Sequence, residues 1–162
     1  VHPSPVALAP LAHEVVAGFA PLAAEAGARV EVALPDGLAA RAEPGALRQV
    51  LLNLLDNAVR YGPSGQTVRV GGAAASGVVR LWVDDAGPGV PPRDRARIWQ
   101  PFVRLARARA GGATGGRTGS GLGLAVVRDL VTLHGGRAWV EAAPPPAGGA
   151  RFVIELLAAP LA

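Results

Sequence analysis

The chain of 162 residues has the length of one ordinary domain, so it can bury a single sizeable core but not two independent ones. Its 16 basic residues, all arginines, stand against 12 acidic residues and leave a formal charge of only +4. That excess suits an anionic ligand, but no basic stretch is interleaved with aromatic residues, so we expect no nucleic-acid partner.

The sequence contains no cysteine, no methionine and no lysine. Without cysteine it has neither a disulfide framework nor a thiolate metal site, which fits a reducing compartment, and we expect a cytoplasmic location. No apolar run approaches the ~20 residues that span a bilayer, and no secretory leader opens the chain, so we expect no membrane contact by this domain. Because the chain begins at Val1, we expect it to be part of a longer protein that carries any anchor elsewhere.

Five elements are predicted in the first part of the chain. Apolar spacing predicts a short strand at residues 6–8 and a helix over residues 9–26. Alternating residues 29–34 predict a half-buried strand, and the Pro-Asp-Gly turn after it predicts a hairpin partner at residues 38–42. Residues 44–61 carry a strong helical stripe of apolar side chains, with a proline suited to its first turn.

The second part of the chain predicts four strands and a helix. Residues 67–70 and 78–83 are β-branched runs that predict neighbouring antiparallel strands. Helical spacing resumes at residues 123–134, and residues 137–141 and 151–157 predict two final strands. We therefore expect residues 1–162 to form one domain.

A segment rich in glycine and arginine separates these predicted elements. Residues 103–119 show no apolar periodicity, so we expect a mobile lid there. Four of its arginines could reach a phosphate chain, and the sequence does not say which one does: Arg104, Arg107, Arg109 and Arg117.

Polar side chains follow one edge of the predicted helix over residues 44–61. Asn53 and Asn57 are four residues apart and therefore lie on one face. An amide oxygen is a hard ligand that suits Mg²⁺ when phosphates supply others, and Arg60 and Tyr61 add a phosphate-pairing cation and a ring. Taken alone, these residues are also typical of the solvated side of an amphipathic helix.

Two glycine-rich segments follow. Asp85 precedes Gly87 and Gly89, whose lack of a side chain lets the backbone approach a ligand, although the segment could be only a turn. Residues 119–124, Gly-Ser-Gly-Leu-Gly-Leu, lead into a helix whose amides would converge on phosphate, although a glycine-rich helix start is the alternative. The segment is no Rossmann fingerprint, since no strand feeds it, and no P-loop, since lysine is absent.

Together and in this order, the three motifs resemble the N, G1 and G2 boxes of the Bergerat ATP-binding fold, which histidine kinases, gyrase-type topoisomerases and the heat-shock chaperone ATPase share. Residues 99–104, Trp-Gln-Pro-Phe-Val-Arg, resemble the histidine-kinase F box, and residues 52–58 resemble that branch's N box. The resemblance spans residues 6–157. It implies an α+β fold, a two-layer α/β sandwich of the Bergerat type with a mixed, mostly antiparallel sheet, about three helices on one face and a flexible ATP lid.

The resemblance also implies roles for these residues. Asn57 would ligate Mg²⁺, Asn53 would sit beside the metal and phosphates, and Arg60 would pair with phosphate. Asp85 would bind the adenine amine, and Tyr61 would flank the ring. The loop residues implied in nucleotide binding, including the lid glycines and the second lid hinge, are Gly87, Gly89, Phe102, Gly119, Ser120, Gly121, Leu122 and Gly123.

Position 53 bears on the activity. Hydrolysing relatives carry a glutamate there that activates water, whereas the amide of Asn53 cannot accept a proton near neutral pH. We therefore expect a histidine kinase that binds Mg-ATP and transfers the γ-phosphoryl to a histidine on a separate dimerisation domain, for relay to a response regulator. Alternatives are an anti-sigma-factor-type serine kinase, whose members usually keep the glutamate, and a nucleotide-sensing module without transfer activity.

Neither internal histidine resembles a phospho-acceptor. His13 precedes an acidic residue, but no proline follows, and the N-terminal segment has room for one helix where a dimerising hairpin needs two. His134 stands at a helix end, where an imidazole can bond terminal carbonyls, so we expect a structural role. We expect the isolated domain to be monomeric and not to autophosphorylate.

Overall fold

The computed structural model describes residues 1–103 and 123–160, and nearly every predicted element is present. Along the chain these are β1 (Ser4–Ala7), α1 (Leu8–Glu25), β2 (Arg29–Ala33), β3 (Ala39–Ala42), α2 (Pro44–Tyr61), β4 (Thr67–Ala75), β5 (Val78–Asp84), α3 (Gly123–Leu133), β6 (Arg137–Ala142) and β7 (Ala150–Leu157). Two short 3₁₀ turns, Pro92–Asp94 and Arg97–Trp99, follow β5. Among the described residues, no helix has both the length and the apolar character to cross a membrane.

A five-stranded sheet in the order β2-β4-β5-β7-β6 forms one layer of the fold. In this sheet β2 and β4 are parallel and the other neighbours are antiparallel, which confirms the predicted mixed, mostly antiparallel α+β architecture. The three helices of the described residues form the second layer, over a face of the sheet that includes the buried Val68, Val83 and Phe152.

Helix α2 is the centre of the core. Its apolar stripe includes Leu51, Leu54, Leu55 and Ala58, none of which has any exposed surface. Residues at this spacing share one side of a helix, so burying them leaves the opposite side for polar groups. The observed bounds of α2, Pro44–Tyr61, confirm the prediction from the apolar pattern.

The predicted hairpin between residues 29–34 and residues 38–42 is wrong. Strand β2 pairs in parallel with β4, and β3 pairs with β1 in a separate two-stranded sheet. The inner side chains of β2, Val30 and Val32, pack against the core beside β4. Alternation indicates which face of a strand is buried, but the neighbouring strand is chosen by tertiary packing, so a turn signal alone predicted the wrong partner.

The sheet face opposite the helices is covered by its own side chains. Val153 lies between Trp82 on one neighbouring strand and Trp139 on the other, and is only 2% exposed. The guanidinium of Arg151 lies 4.4 Å from the Trp82 ring centroid, and that of Arg137 lies 5.0 Å from the Trp139 ring. Cation–π contacts of this kind stabilise the arginine side chains against the rings.

Carboxylates complete this cover. Glu155 accepts hydrogen bonds from Arg80 at 2.9 Å and from Arg137 at 3.0 Å. The bond from Arg80, helped by Arg137, lowers the pKa of Glu155 below its ordinary value of 4.5 against the opposing effect of desolvation. Asp84 binds Arg151 through two hydrogen bonds of 2.7 and 2.8 Å, which raise the pKa of the guanidinium.

The lowered pKa of Glu155 predicts a pH dependence of stability. A carboxylate whose folded-state pKa is depressed stabilises the fold above its ordinary pKa, and this contribution is lost as the pH falls through the folded-state value. We expect Glu155→Gln to lower the free energy of unfolding at pH 7 and to have less effect at pH 3, measured by denaturant titration. The difference should shrink in an Arg80→Gln background, and a pH-independent difference would contradict the ion pairing.

Candidate functional site

The two predicted asparagines on the polar edge of α2 differ in their hydrogen bonding. The Asn53 amide is engaged at both ends: its Oδ1 accepts from Gln49 at 2.7 Å, and its Nδ2 donates to the carbonyl of Gly123 at 3.1 Å. Asn57 is buried, at 8% exposure, and its Nδ2 has no hydrogen-bond partner among the described residues. The Nδ2 of Asn57 is therefore not used to hold the described part of the chain together, although a buried donor without a partner is costly.

Arg60 lies one turn beyond Asp56 and pairs with it. Its Nε donates to Asp56 Oδ2 at 2.7 Å, which orients the guanidinium along the helix. Its Nη1 is buried and has no hydrogen-bond partner among the described residues. A guanidinium has five N–H donors, so one carboxylate leaves capacity for an anion.

The Asp85 carboxylate holds together the segment that follows β5. Its Oδ1 accepts backbone N–H bonds from Gly87 at 2.9 Å and from Ala150 at 3.1 Å. Asp85 is 1% exposed, and its backbone N–H donates to the Ala150 carbonyl at 3.0 Å. These bonds fix the orientation of a buried carboxylate at the end of β5.

Gly87 and Gly89 each meet a different constraint. A Cβ on Gly87 would lie 2.7 Å from the Tyr61 carbonyl oxygen, so this loop passes directly against the C-terminal end of α2. Gly89 has φ +76°, in the left-handed region that favours glycine. The close approach brings the predicted ring-flanking Tyr61 beside the loop of Asp85.

The segment corresponding to the F box has a buried and an exposed part. Trp99 is 4% exposed and meets Phe152 edge-on, with ring centroids 5.9 Å apart. Phe102 is 72% exposed and has φ +64°, so the described contacts do not bring it to the other predicted site residues.

Most of the predicted lid lies outside the described residues. Of the glycine-rich phosphate segment, only Gly123 and Leu124 are described, and Asn53 contacts the former. The predictions that lie outside the described residues are those for the lid beyond Val103, for Gly119, Ser120, Gly121 and Leu122, and for Arg104, Arg107, Arg109 and Arg117.

Two residues at this site escaped the sequence analysis. A Cβ on Gly149 would lie 2.4 Å from Asp85 Oδ1, so this glycine gives the carboxylate its space. Gln66 is 6% exposed and hydrogen-bonds Ala58 and Ala86. Gly149 stands in a Pro/Gly loop and Gln66 in a turn, and nothing in their local patterns relates them to Asp85, 64 and 19 positions away.

The histidines occupy the expected environments. His134 makes a 2.7 Å contact with the Leu130 carbonyl through Nδ1 and accepts the Glu43 backbone N–H at Nε2, 3.1 Å away. Because Nε2 accepts, Nδ1 carries the proton in this arrangement. His134 thus joins the end of α3 to the start of α2, which confirms its structural role, whereas His13 is exposed on α1.

Comparison with known proteins agrees with this geometry. Residues 42–160 match the family described as histidine kinase-, DNA gyrase B-, and HSP90-like ATPase. The match covers more than half of the chain and includes α2, the Asp85 loop and α3. The chain therefore belongs to this ATPase family.

Its relatives within the family are sensor kinases. The chain is 37% identical over 130 residues to the adaptive-response sensory kinase SasA of Trichormus variabilis, covering 79% of this chain and 30% of that protein. It is 44% identical over 115 residues to the sensor histidine kinase CpxA of Escherichia coli K12, covering 70% of this chain and 23% of CpxA. The chain thus spans less than a third of the length of these relatives.

Solved structures show the same fold. The mycobacterial sensor histidine kinase MprB superposes with a TM-score of 0.81 at 29% identity, covering 99% of this chain and 100% of that one. Full-length ShkA in complex with AMPPNP superposes with a TM-score of 0.81 at 34% identity, covering 100% of this chain and 32% of ShkA. The fold is the Bergerat fold of sensor histidine kinase catalytic domains.

The close approach of Gly149 to Asp85 predicts that a methyl group added at position 149 destabilises the fold. The Cβ of Gly149→Ala would also lie 2.6 Å from the Gly87 nitrogen, so the Asp85 loop must shift. We expect the free energy of unfolding to fall by about 1–3 kcal/mol, measured by urea denaturation. Gly18→Ala, inside α1 with nothing within 4 Å of the added Cβ, should instead raise it by about 0.5–1 kcal/mol. Equal stability of Gly149→Ala and the natural chain would contradict the contact.

Proposed function

We propose that this chain is the catalytic ATP-binding domain of a sensor histidine kinase, which binds Mg-ATP and transfers the γ-phosphoryl to a histidine on a separate dimerisation domain. The observation that carries the proposal is that the loop of the fixed Asp85 carboxylate lies against the C-terminal end of α2, the helix that carries Asn57 and Arg60. The buried Nδ2 of Asn57 and Nη1 of Arg60 have no hydrogen-bond partner among the described residues. The relatives SasA and CpxA, both sensory kinases by name, support the same activity. A response regulator would then receive the phosphoryl group.

Asp85 is the residue we assign to adenine. Two backbone N–H donors hold its carboxylate in place, so no reorganisation is needed when it accepts a hydrogen bond from an exocyclic amine. Gly87 and Gly89 keep the loop free of side chains beside it, and Tyr61 flanks the ring. Recognition by a buried, preoriented acceptor favours adenine over guanine, which has a carbonyl at the equivalent position.

Residues of α2 would bind the metal and the phosphates. We assign Mg²⁺ to the Oδ1 of Asn57, an amide whose Nδ2 has no hydrogen-bond partner among the described residues, and phosphate to the spare donors of Arg60. Mg²⁺ would neutralise phosphate charge during transfer. Asn53 completes this edge, and its bond to the Gly123 carbonyl links α2 to the last glycine of the predicted phosphate loop. Gly119, Ser120, Gly121 and Leu122 would add backbone amides there, and Phe102 would form the other lid hinge.

Asn53 also separates the proposal from its alternatives. A neutral amide cannot act as a general base near neutral pH, so this residue does not activate water for hydrolysis. Catalysis would consist of positioning and charge neutralisation, as suits transfer to a protein side chain. An anti-sigma-factor-type serine kinase would usually carry glutamate there, and a nucleotide-sensing module would not need all of these residues.

Nucleotide titration with and without Mg²⁺ tests the assignment. In Asp85→Asn, the remaining oxygen is needed by the Gly87 and Ala150 N–H groups, so the new NH₂ faces the adenine amine. We expect affinity for ATP to fall about 10- to 100-fold. Asn57→Ala should bind ATP with little response to Mg²⁺. Asp36→Asn, in an exposed turn, should bind like the natural chain. Unchanged Mg-ATP binding by both site variants would contradict the assignment.

Incubation with γ-labelled ATP tests the division of labour between domains. The isolated chain should bind ATP and remain unlabelled, because its exposed His13 lies on α1 without the helix hairpin that presents an acceptor. Labelling that disappears in His13→Gln would overturn this proposal and make His13 the acceptor.

A further inference from the structure

Gln66 is a buried polar side chain to which the proposed function gives no role. Its Nε2 donates to the Ala58 carbonyl at 3.0 Å, and its Oε1 accepts from the Ala86 N–H at 3.0 Å. Ala58 belongs to the last part of α2, and Ala86 lies in the loop after β5. One carboxamide therefore joins the two segments that form opposite ends of the proposed nucleotide site.

The chemistry of the two partners determines the direction of this bridge. A carbonyl oxygen only accepts and a backbone N–H only donates, so the amide has one orientation that satisfies both. The Gln66 backbone is itself anchored, because its carbonyl accepts from the Arg29 N–H at 3.0 Å at the start of the β2–β4 pair. The Gln66 side chain thus extends from a backbone position that is held in place beside the sheet.

Gly62 provides the space for the amide. A Cβ at this position would lie 1.9 Å from Gln66 Nε2 and 2.3 Å from its Oε1. The Gly62 N–H donates to the same Ala58 carbonyl at 3.0 Å, so Gln66 shares the acceptor that ends the helix. Glycine at position 62 and glutamine at position 66 consequently depend on each other.

Each of the two residues that the Gln66 side chain connects directly follows a residue of the proposed binding site. Ala58 directly follows Asn57, which we assign to the metal, and Ala86 directly follows Asp85, which we assign to adenine. We infer that Gln66 is a positioning residue that sets the spacing between the metal-binding end of α2 and the adenine-binding carboxylate. This inference rests on the proposed function and extends it to a residue that touches neither metal nor nucleotide.

Gln66→Leu is the direct test, because leucine fills similar space without either hydrogen bond. We expect about tenfold weaker binding of Mg-ATP, because the Ala86 N–H loses its acceptor, the Ala58 carbonyl keeps only the Gly62 N–H, and the loop after β5 is no longer tied to α2. The preference for ATP over GTP should fall, while binding of inorganic triphosphate with Mg²⁺, which has no base, should be unchanged. Thr67→Val, the matched loss of a polar side chain one residue along, should leave all three affinities unchanged.

Gly62→Ala tests the same bridge without touching Gln66. Its Cβ would displace the carboxamide, so we expect a loss of ATP preference like that of Gln66→Leu. In a double-mutant cycle of Gly62→Ala and Gln66→Ala, the methyl group of the double variant meets no amide, so the effects of these two single substitutions on ATP affinity should be clearly less than additive. If Gln66→Leu fails to fold, Gly62→Ala and the double variant decide the question.

The outcomes separate this inference from the proposed function. If the natural chain binds no adenine nucleotide, both fail. If it binds ATP in an Asp85-dependent way, yet the Gln66 and Gly62 variants keep the natural affinity and ATP preference, the Gln66 inference alone fails. A loss that is equal for ATP, GTP and triphosphate would also overturn it, because a general loss of structure does not discriminate between the base and the phosphates.

Discussion

The burial of one side of α2 against the sheet is the constraint on which the rest of the structure depends. Leu51, Leu54 and Leu55 have no exposed surface, so the helix cannot rotate about its axis without exposing them. This fixed rotation holds Asn57 and Arg60 at one edge of the helix layer. The packing of the apolar side of α2 therefore fixes the position of the polar residues on its other side, and with them one part of the proposed site.

A second set of contacts brings the loop after β5 to that edge. Asp85 uses one oxygen to hold both Gly87 and the start of β7, so its carboxylate is tied to its own loop and to a neighbouring strand. The absence of a side chain at Gly149 makes this possible, and Gln66 ties the next residue of the loop to α2. Backbone donors and acceptors, more than side-chain pairs, therefore determine the distance between the two ends of the proposed site.

The face of the sheet opposite the helices is shielded from solvent in a different way. Helices cover one face of the sheet in the described residues, so the other face needs protection by its own side chains. Trp82 and Trp139 cover Val153, and arginines paired with Glu155 and Asp84 lie over the rings. This cover combines apolar burial with a charged surface, so within residues 1–103 and 123–160 the sheet has a protected outer face without a second helical layer.

The sequence by itself determined most of the elements and predicted which residues make up the candidate site. The bounds of α2 follow from apolar spacing, and the order of three local motifs sufficed to predict the ATP-binding fold. Tertiary structure alone decided that β2 pairs with β4, and that Gln66 and Gly149 contact the segment around Asp85. The physical reason is the separation along the chain of the residues involved. Helical periodicity and glycine-rich motifs are local signals, whereas strand partners and the space around a buried carboxylate depend on residues far apart in the chain.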